Sequence, residues 1–196
     1  MGEKQSNEIT LKIKNNVKDF EDILKHKKFN VIDEFTLDDT YLIPKKLEIE
    51  NISAREILAN AVIIRNINDK TYKRNIKLVT FKSKEINDNG DIISQKSTNC
   101  EITDIKAAKE LFYEIGYKEI MQIKENDKVY EKEEFQIAVK DIINSDSLIE
   151  IETSEKEDLD TIEKIKEKLN KLNLPVDTSN YFVKKAEIEI NKILNK

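Results

Sequence analysis

The sequence predicts an α+β protein: many antiparallel strands with helices packed outside them. Three observations point there. Short stretches alternate apolar and polar residues, as Ile9, Leu11 and Ile13 do against Glu8, Thr10, Lys12 and Lys14; that period of two marks a strand with one buried face. Stretches of helical period are fewer and lie between groups of strands. The 196 residues include only three glycines and two prolines, so there is no long flexible linker. Phosphate loops that depend on clustered glycines are absent too.

The elements follow in order. Glu8 to Lys14 reads as the first strand. Val17, Phe20, Ile23 and Leu24 recur at helical spacing, which predicts an amphipathic helix over 17–28. Glu34 to Ile43 is a strand closed by Pro44, and Lys45 to Leu58 a charged loop with a short helix. Strands follow at Ala61–Ile67 and Ile76–Lys84. Asn87-Asp88-Asn89-Gly90 is a turn signal, and a strand runs on from Ile92 to Thr103. Asp104 caps a helix that stops at Gly116. Tyr117–Lys124 and Val129–Tyr130 are strand-like, joined by a turn at 125–128. Phe135–Ile142 and Leu148–Thr153 complete the strands. A helix over 158–172 carries Leu159, Ile162, Ile165, Leu169 and Leu172 on one stripe and is broken by Pro175. A last helix spans 181–194. No repeat and no hard boundary interrupts the chain, which reads as one domain over residues 1–196.

Composition excludes several function classes. Charged residues make up 37% and the net charge is −5, so no bulk nucleic-acid binding is expected. One cysteine, Cys100, allows neither an internal disulfide nor a thiolate cluster, and it is expected on a strand facing the core. The one histidine, His26, lies among lysines and is expected at the surface. No apolar run is long enough for a membrane span, and the first residues carry no apolar signal core. The expected setting is the cytoplasm. The helix over 158–171 is most simply an apolar stripe with a solvated outer face; it could also mediate a homodimer.

The informative feature is how charge sits on the strand faces. One face offers Glu8, Lys12 and Lys14; others offer Arg65, Lys82 and Lys84, then Glu101, Lys124 and Lys140, and finally Glu150 and Glu152. Each strand alone reads as the wet face of an antiparallel sheet. If the sheet closes, that face becomes a lumen. Cations on most of its walls suit phosphate oxygens, and carboxylates on one side suit Mg²⁺ or Mn²⁺.

Here the sequence resembles the CYTH family, which includes class IV adenylyl cyclases and thiamine triphosphatases. The family opens with Glu-x-Glu-x-Lys, and this chain has Glu8-Ile9-Thr10-Leu11-Lys12. The Asp-Thr-Tyr block appears as Asp39-Thr40-Tyr41, Leu-Arg-Ile-Arg as Val62-Ile63-Ile64-Arg65, and Thr-x-Lys as Thr80-Phe81-Lys82. The helix ending in Leu-Gly-Phe/Tyr resembles Ile115-Gly116-Tyr117, and the Lys-x-Arg that follows matches Lys124 with Asn126 for the arginine. Phe-Val-Glu-Ile-Glu is matched by Leu148-Ile149-Glu150-Ile151-Glu152, and the tail Thr178 to Phe182 resembles a Ser-Tyr segment of class IV-like members. Thr10, Ile63, Asn126 and Lys140 depart from the pattern; Lys140 stands where the family often has an aspartate.

The resemblance implies a closed or nearly closed antiparallel β-tunnel of about eight strands. It implies that Lys12, Lys14, Arg65, Lys82, Lys84, Lys124 and Lys140 bind triphosphate. Glu8, Glu150 and Glu152 would hold Mg²⁺ or Mn²⁺, and with Lys12 would form the catalytic set. It implies a triphosphate-containing small molecule, ATP or tripolyphosphate, as partner. The implied reaction is cyclisation of ATP to cyclic AMP and pyrophosphate; hydrolysis of tripolyphosphate or thiamine triphosphate is the alternative. The four departures suit a third reading, a module that binds triphosphate without turning it over.

Overall fold

The computed structural model describes residues 8–86, 92–152 and 160–195. The elements run β1 (Glu8–Ile13), α1 (Val17–His26), β2 (Asn30–Pro44), a 3₁₀ turn (Ile49–Asn51), α2 (Ala54–Ala59), β3 (Val62–Asp69), β4 (Arg74–Ile86), β5 (Ile92–Glu101), α3 (Ile105–Glu114), β6 (Tyr117–Lys132), β7 (Phe135–Ile142), β8 (Leu148–Glu152), α4 (Ile162–Leu172), β9 (Val176–Asp177) and α5 (Lys185–Leu194). The α+β class is as expected. The strands are hydrogen-bonded in the order β5-β4-β3-β2-β6-β7-β8-β1-β9. Nine strands stand where about eight were expected, and among the described residues the order ends at β5 and β9 without closing. No helix among these residues is long and apolar enough to cross a membrane.

The chain divides into two compact units: residues 1–35 with 125–184, and residues 36–124 with 185–196. β2 and β6 each contribute to both.

In unit 1, β8 pairs antiparallel with β1 and with β7, and β7 with β6. Ile9, Leu11 and Ile13 of β1, Ile149 and Ile151 of β8, and Ile137 and Val139 of β7 point into one core, with Phe20 and Leu24 of α1 and Ile165 and Leu169 of α4. Asn16 caps α1 by accepting from the Asp19 amide. Thr161 caps α4, which ends on Asn173 in the left-handed conformation. The alternation of β1 therefore puts Glu8, Thr10 and Lys12 on the face away from that core.

In unit 2, β4 pairs with β3 and β5. The turn between β3 and β4 is organised by Asp69, which accepts the Tyr72 amide at 2.9 Å and the Arg74 guanidinium at 2.7 Å. Leu42, Ile64 and Val79 pack with Ala108, Ile105 and Phe112 of α3. Ser53 and Glu56 form a capping box at the start of α2, and Asp104 caps α3 with bonds of 2.7 and 3.1 Å.

Several element boundaries differ from expectation. The turn expected at 125–128 is absent: β6 runs unbroken, and the chain reverses at Glu133-Glu134. Both residues have positive φ, 51° and 61°. Polarity at 125–128 suggested a turn, but those residues are two strand faces, one of them buried and charged. The last helix begins at Lys185 rather than 181. The 87–90 turn lies outside the described residues. Cys100 is exposed rather than core-facing, because β5 ends the strand order and residues 96–101 are all exposed. His26 is at the surface.

Candidate functional site

Among the described residues, each unit has a buried charged group held by several partners of opposite sign, and the two centres differ in sign.

In unit 2 the centre is Asp39, fully buried on β2. Arg65 of β3 donates to it from Nε at 2.7 Å and from Nη2 at 2.6 Å, a bidentate pair. Lys185 stands 3.5 Å away. Burial alone pushes the Asp39 carboxyl up; the Arg65 hydrogen bonds and charge, then Lys185 and Lys82, outweigh it and hold the carboxyl below the ordinary range. Arg65 and Lys82 share a face because Arg65 pairs with Leu78, and Leu78, Thr80 and Lys82 alternate on β4. Thr80, buried on that face, is bonded to Asn99 at 2.8 Å. Lys185 is the first residue of α5, where the helix dipole disfavours a cation; the Asp39 carboxylate offsets that.

In unit 1 the centre is Lys140, whose residue is 8% exposed. Its ammonium lies 3.1 Å from Asp127 and 3.1 Å from Glu150. Asp127 and Lys140 are direct partners across β6 and β7. Burial alone would lower the lysine pKa; the carboxylates of Glu150, Asp127 and Glu125 overcome this and hold it above its usual range. Asp127 and Glu125 are both buried. Thr10 lies directly opposite Glu150. Its hydroxyl is buried and has no hydrogen-bond partner, at the position where the resemblance expects a second glutamate.

The remaining residues singled out in the sequence fall as follows. Glu8 lies opposite Glu152 and takes Lys184 at 2.8 Å. The Glu152 carboxyl is held above the ordinary range by lost hydration, then by Glu8 and Glu150. Lys12 pairs with Asp146 at 2.8 Å, half-exposed. Lys14 is exposed just beyond β1. Lys84 sits on β4 opposite Gln95. Ile63 is buried.

Lys124 is exposed and 3.6 Å from Asp38, which points to the opposite face of β2 from Asp39. It therefore does not join Arg65 and Lys82. Asn126 lies opposite Asp141, on the other face from Lys140. The Lys-x-Arg match thus selects the exposed parity of β6, while Glu125 and Asp127 occupy the buried one. A slip of one residue exchanges the faces.

The sequence reading missed Asp39, Lys185, Glu125 and Asp127 as cluster members. Met121, Ile123, Glu125 and Asp127 continue one parity, so carboxylates on an otherwise apolar stripe were an available signal. Asp39, inside the run Leu37 to Ile43, was another. Lys185 had none.

Among the described residues no group of three or more carboxylate, His or Cys side chains is placed to hold a metal ion. Glu8 and Glu150 each face a lysine instead. The donors present do not fit a preformed cage.

No family model matches the chain, and no curated protein does. Solved structures do. The PH1819 protein of Pyrococcus horikoshii superposes with a TM-score of 0.66 at 20% identity, covering 95% of this chain and 99% of its own. A Hippeastrum protein described as a "putative adenylyl cyclase" with a dominant triphosphatase activity gives 0.61 at 14% identity, covering 96% of each chain. An adenylate cyclase candidate from Vibrio parahaemolyticus gives 0.57 at 14%, covering 97% of this chain and 98% of its own. At these identities the likeness establishes a shared fold.

Proposed function

We propose that the chain belongs to the CYTH family and binds the triphosphate of a nucleotide or of inorganic tripolyphosphate together with Mg²⁺ or Mn²⁺. The observation that carries this reading is the convergence of Arg65, Lys185 and Lys82 on the single carboxylate of Asp39 in unit 2. Three cations thus gather around one carboxylate on the strand faces of unit 2. The bidentate bond fixes the guanidinium plane, so a phosphate oxygen meets a donor that is already oriented.

A metal carried in by the phosphate oxygens would supply charge neutralisation there, which needs only one or two protein carboxylates. Two reactions fit such a site. Water attacking the terminal phosphorus releases orthophosphate; a ribose 3′-hydroxyl attacking the α-phosphorus releases pyrophosphate and cyclic AMP. In both, the residues of this chain would bind, orient and stabilise developing charge on oxygen. The activity described for the Hippeastrum protein supports the hydrolytic reading.

A binder without turnover is the second reading. It is favoured by the lysines that already face Glu8 and Glu150.

The test is a product assay by mass spectrometry with ATP, GTP, thiamine triphosphate and tripolyphosphate, each with Mg²⁺ or Mn²⁺, beside Glu152→Gln. Orthophosphate or cyclic nucleotide that disappears in the variant assigns the reaction. Tripolyphosphate binding without product leaves the binder. No binding of any triphosphate overturns the proposal.

A further inference from the structure

We infer that Lys140 is the resident cation of the carboxylate cluster in unit 1, its ammonium filling a place that a divalent ion would otherwise take. The inference stands apart from the triphosphate reading.

The geometry comes from three strands. Asp127 on β6, Lys140 on β7 and Glu150 on β8 share one face, and the ammonium is within 3.1 Å of both carboxylates. Glu125, two residues before Asp127 on the same stripe, is close enough to act on Lys140 by charge. Asp127 and Glu125 are at most 1% exposed. Burying carboxylates to that depth costs several kcal/mol unless a cation lies beside them.

A second observation comes from β1. The Thr10 hydroxyl, on a residue 1% exposed, lies directly across from Glu150 on the same face and has no hydrogen-bond partner. An oxygen in that position is a ready additional ligand for a hard cation. The cluster thus gives two carboxylates to a positive centre that the chain supplies covalently, and it leaves the buried Thr10 hydroxyl without a partner beside Glu150.

A divalent ion has the same preference for oxygen as an ammonium but carries twice the charge. It cannot enter while Lys140 stays, because the two cations would repel at close range. Replacing Lys140 with a short neutral residue leaves both the charge and the space for the ion.

Mn²⁺ binding is measured by the loss of its free-ion EPR signal, without triphosphate, in the wild type, Lys140→Ala, Lys140→Gln, Glu150→Gln and Lys140→Ala/Glu150→Gln. Folding is followed by circular dichroism with and without Mn²⁺. Lys140→Ala is expected to bind one ion per chain at least about tenfold tighter than the wild type, as ligand charge sets affinity. Adding Glu150→Gln should remove that gain. A variant that unfolds without metal should refold on adding Mn²⁺.

The inference is overturned by a wild-type ion that Glu150→Gln abolishes, since the place would then be open despite Lys140. It is also overturned if neither Lys140 variant gains a Glu150-dependent ion, or if both stay unfolded with Mn²⁺. Neither result touches the binding of triphosphate in unit 2.

Discussion

In unit 1 a lysine is surrounded by carboxylates; in unit 2 an aspartate is surrounded by cations. Both central groups are buried, and both are held in the charged form by their partners against the pull of desolvation. They differ in what surrounds them. Around Lys140, Asp127 and Glu125 are themselves buried, and Glu150 alone keeps water, its side chain 27% exposed. Around Asp39, the Arg65 side chain is 21% exposed and that of Lys185 14%. A charge that keeps some water can outlive its partner; one that keeps none cannot. The first cluster thus buries two of its three carboxylates, whereas the second leaves both cations nearest its aspartate partly exposed.

The largest test of that difference removes each centre. Lys140→Ala should lower stability by about 3–5 kcal/mol, the cost of leaving buried carboxylates without their cation, read by urea denaturation in metal-free buffer. A loss below about 1 kcal/mol would mean the carboxylates do not depend on Lys140.

Asp39→Asn should cost less, roughly 1.5–3 kcal/mol for a lost charge-assisted pair. It should also tighten tripolyphosphate binding about fivefold, because one negative charge leaves the cation cluster. Weaker binding would show that Asp39 matters more for orienting Arg65 than for opposing the ligand. The pH dependence has a definite sign. A carboxyl whose folded pKa is depressed stabilises the fold fully above its ordinary value of 3.8, and the contribution is lost as pH falls through the lowered folded value. The stability gap between wild type and Asp39→Asn should therefore shrink as pH falls below the ordinary carboxyl value of 3.8.

Lys82→Ala, on the cluster face, should weaken tripolyphosphate binding about tenfold, one charge-assisted contact. The smallest effect belongs to Lys124→Ala. Its half-exposed ion pair with Asp38 is 3.6 Å long, so stability should change by less than about 0.5 kcal/mol and tripolyphosphate affinity by less than about twofold. An effect as large as that of Lys82→Ala would break the assignment of faces.

Much of the fold was legible because period-2 alternation survives in β1, β4 and β7, and because Asp104 and Asn16 announce their helices by chemistry. The clusters were less so. Arg65, Lys82, Lys140 and Glu150 could be picked from strand faces, but a face is known only once register is known. At β6 the polar run 125–128 carried charge on both parities, so nothing local marked which side was buried. Asp39 and Lys185 are separated by more than a hundred residues, and their pairing is a property of tertiary structure alone.

The reversal between β6 and β7 has a consequence for the order of events in folding. A two-residue loop with positive φ at both positions is the geometry for which Asn-Gly is favoured, yet the chain places Glu133 and Glu134 there. Each pays the left-handed penalty of a side-chain-bearing residue, on the order of 1 kcal/mol. The turn is thus a poor nucleus. Registration of Asp127 against Lys140, six residues before and six after the two-residue loop, must be enforced by the strands rather than by the loop. Glu133→Asn with Glu134→Gly should quicken refolding if this hairpin closes before the rate-limiting barrier, and should slow unfolding instead if it closes after.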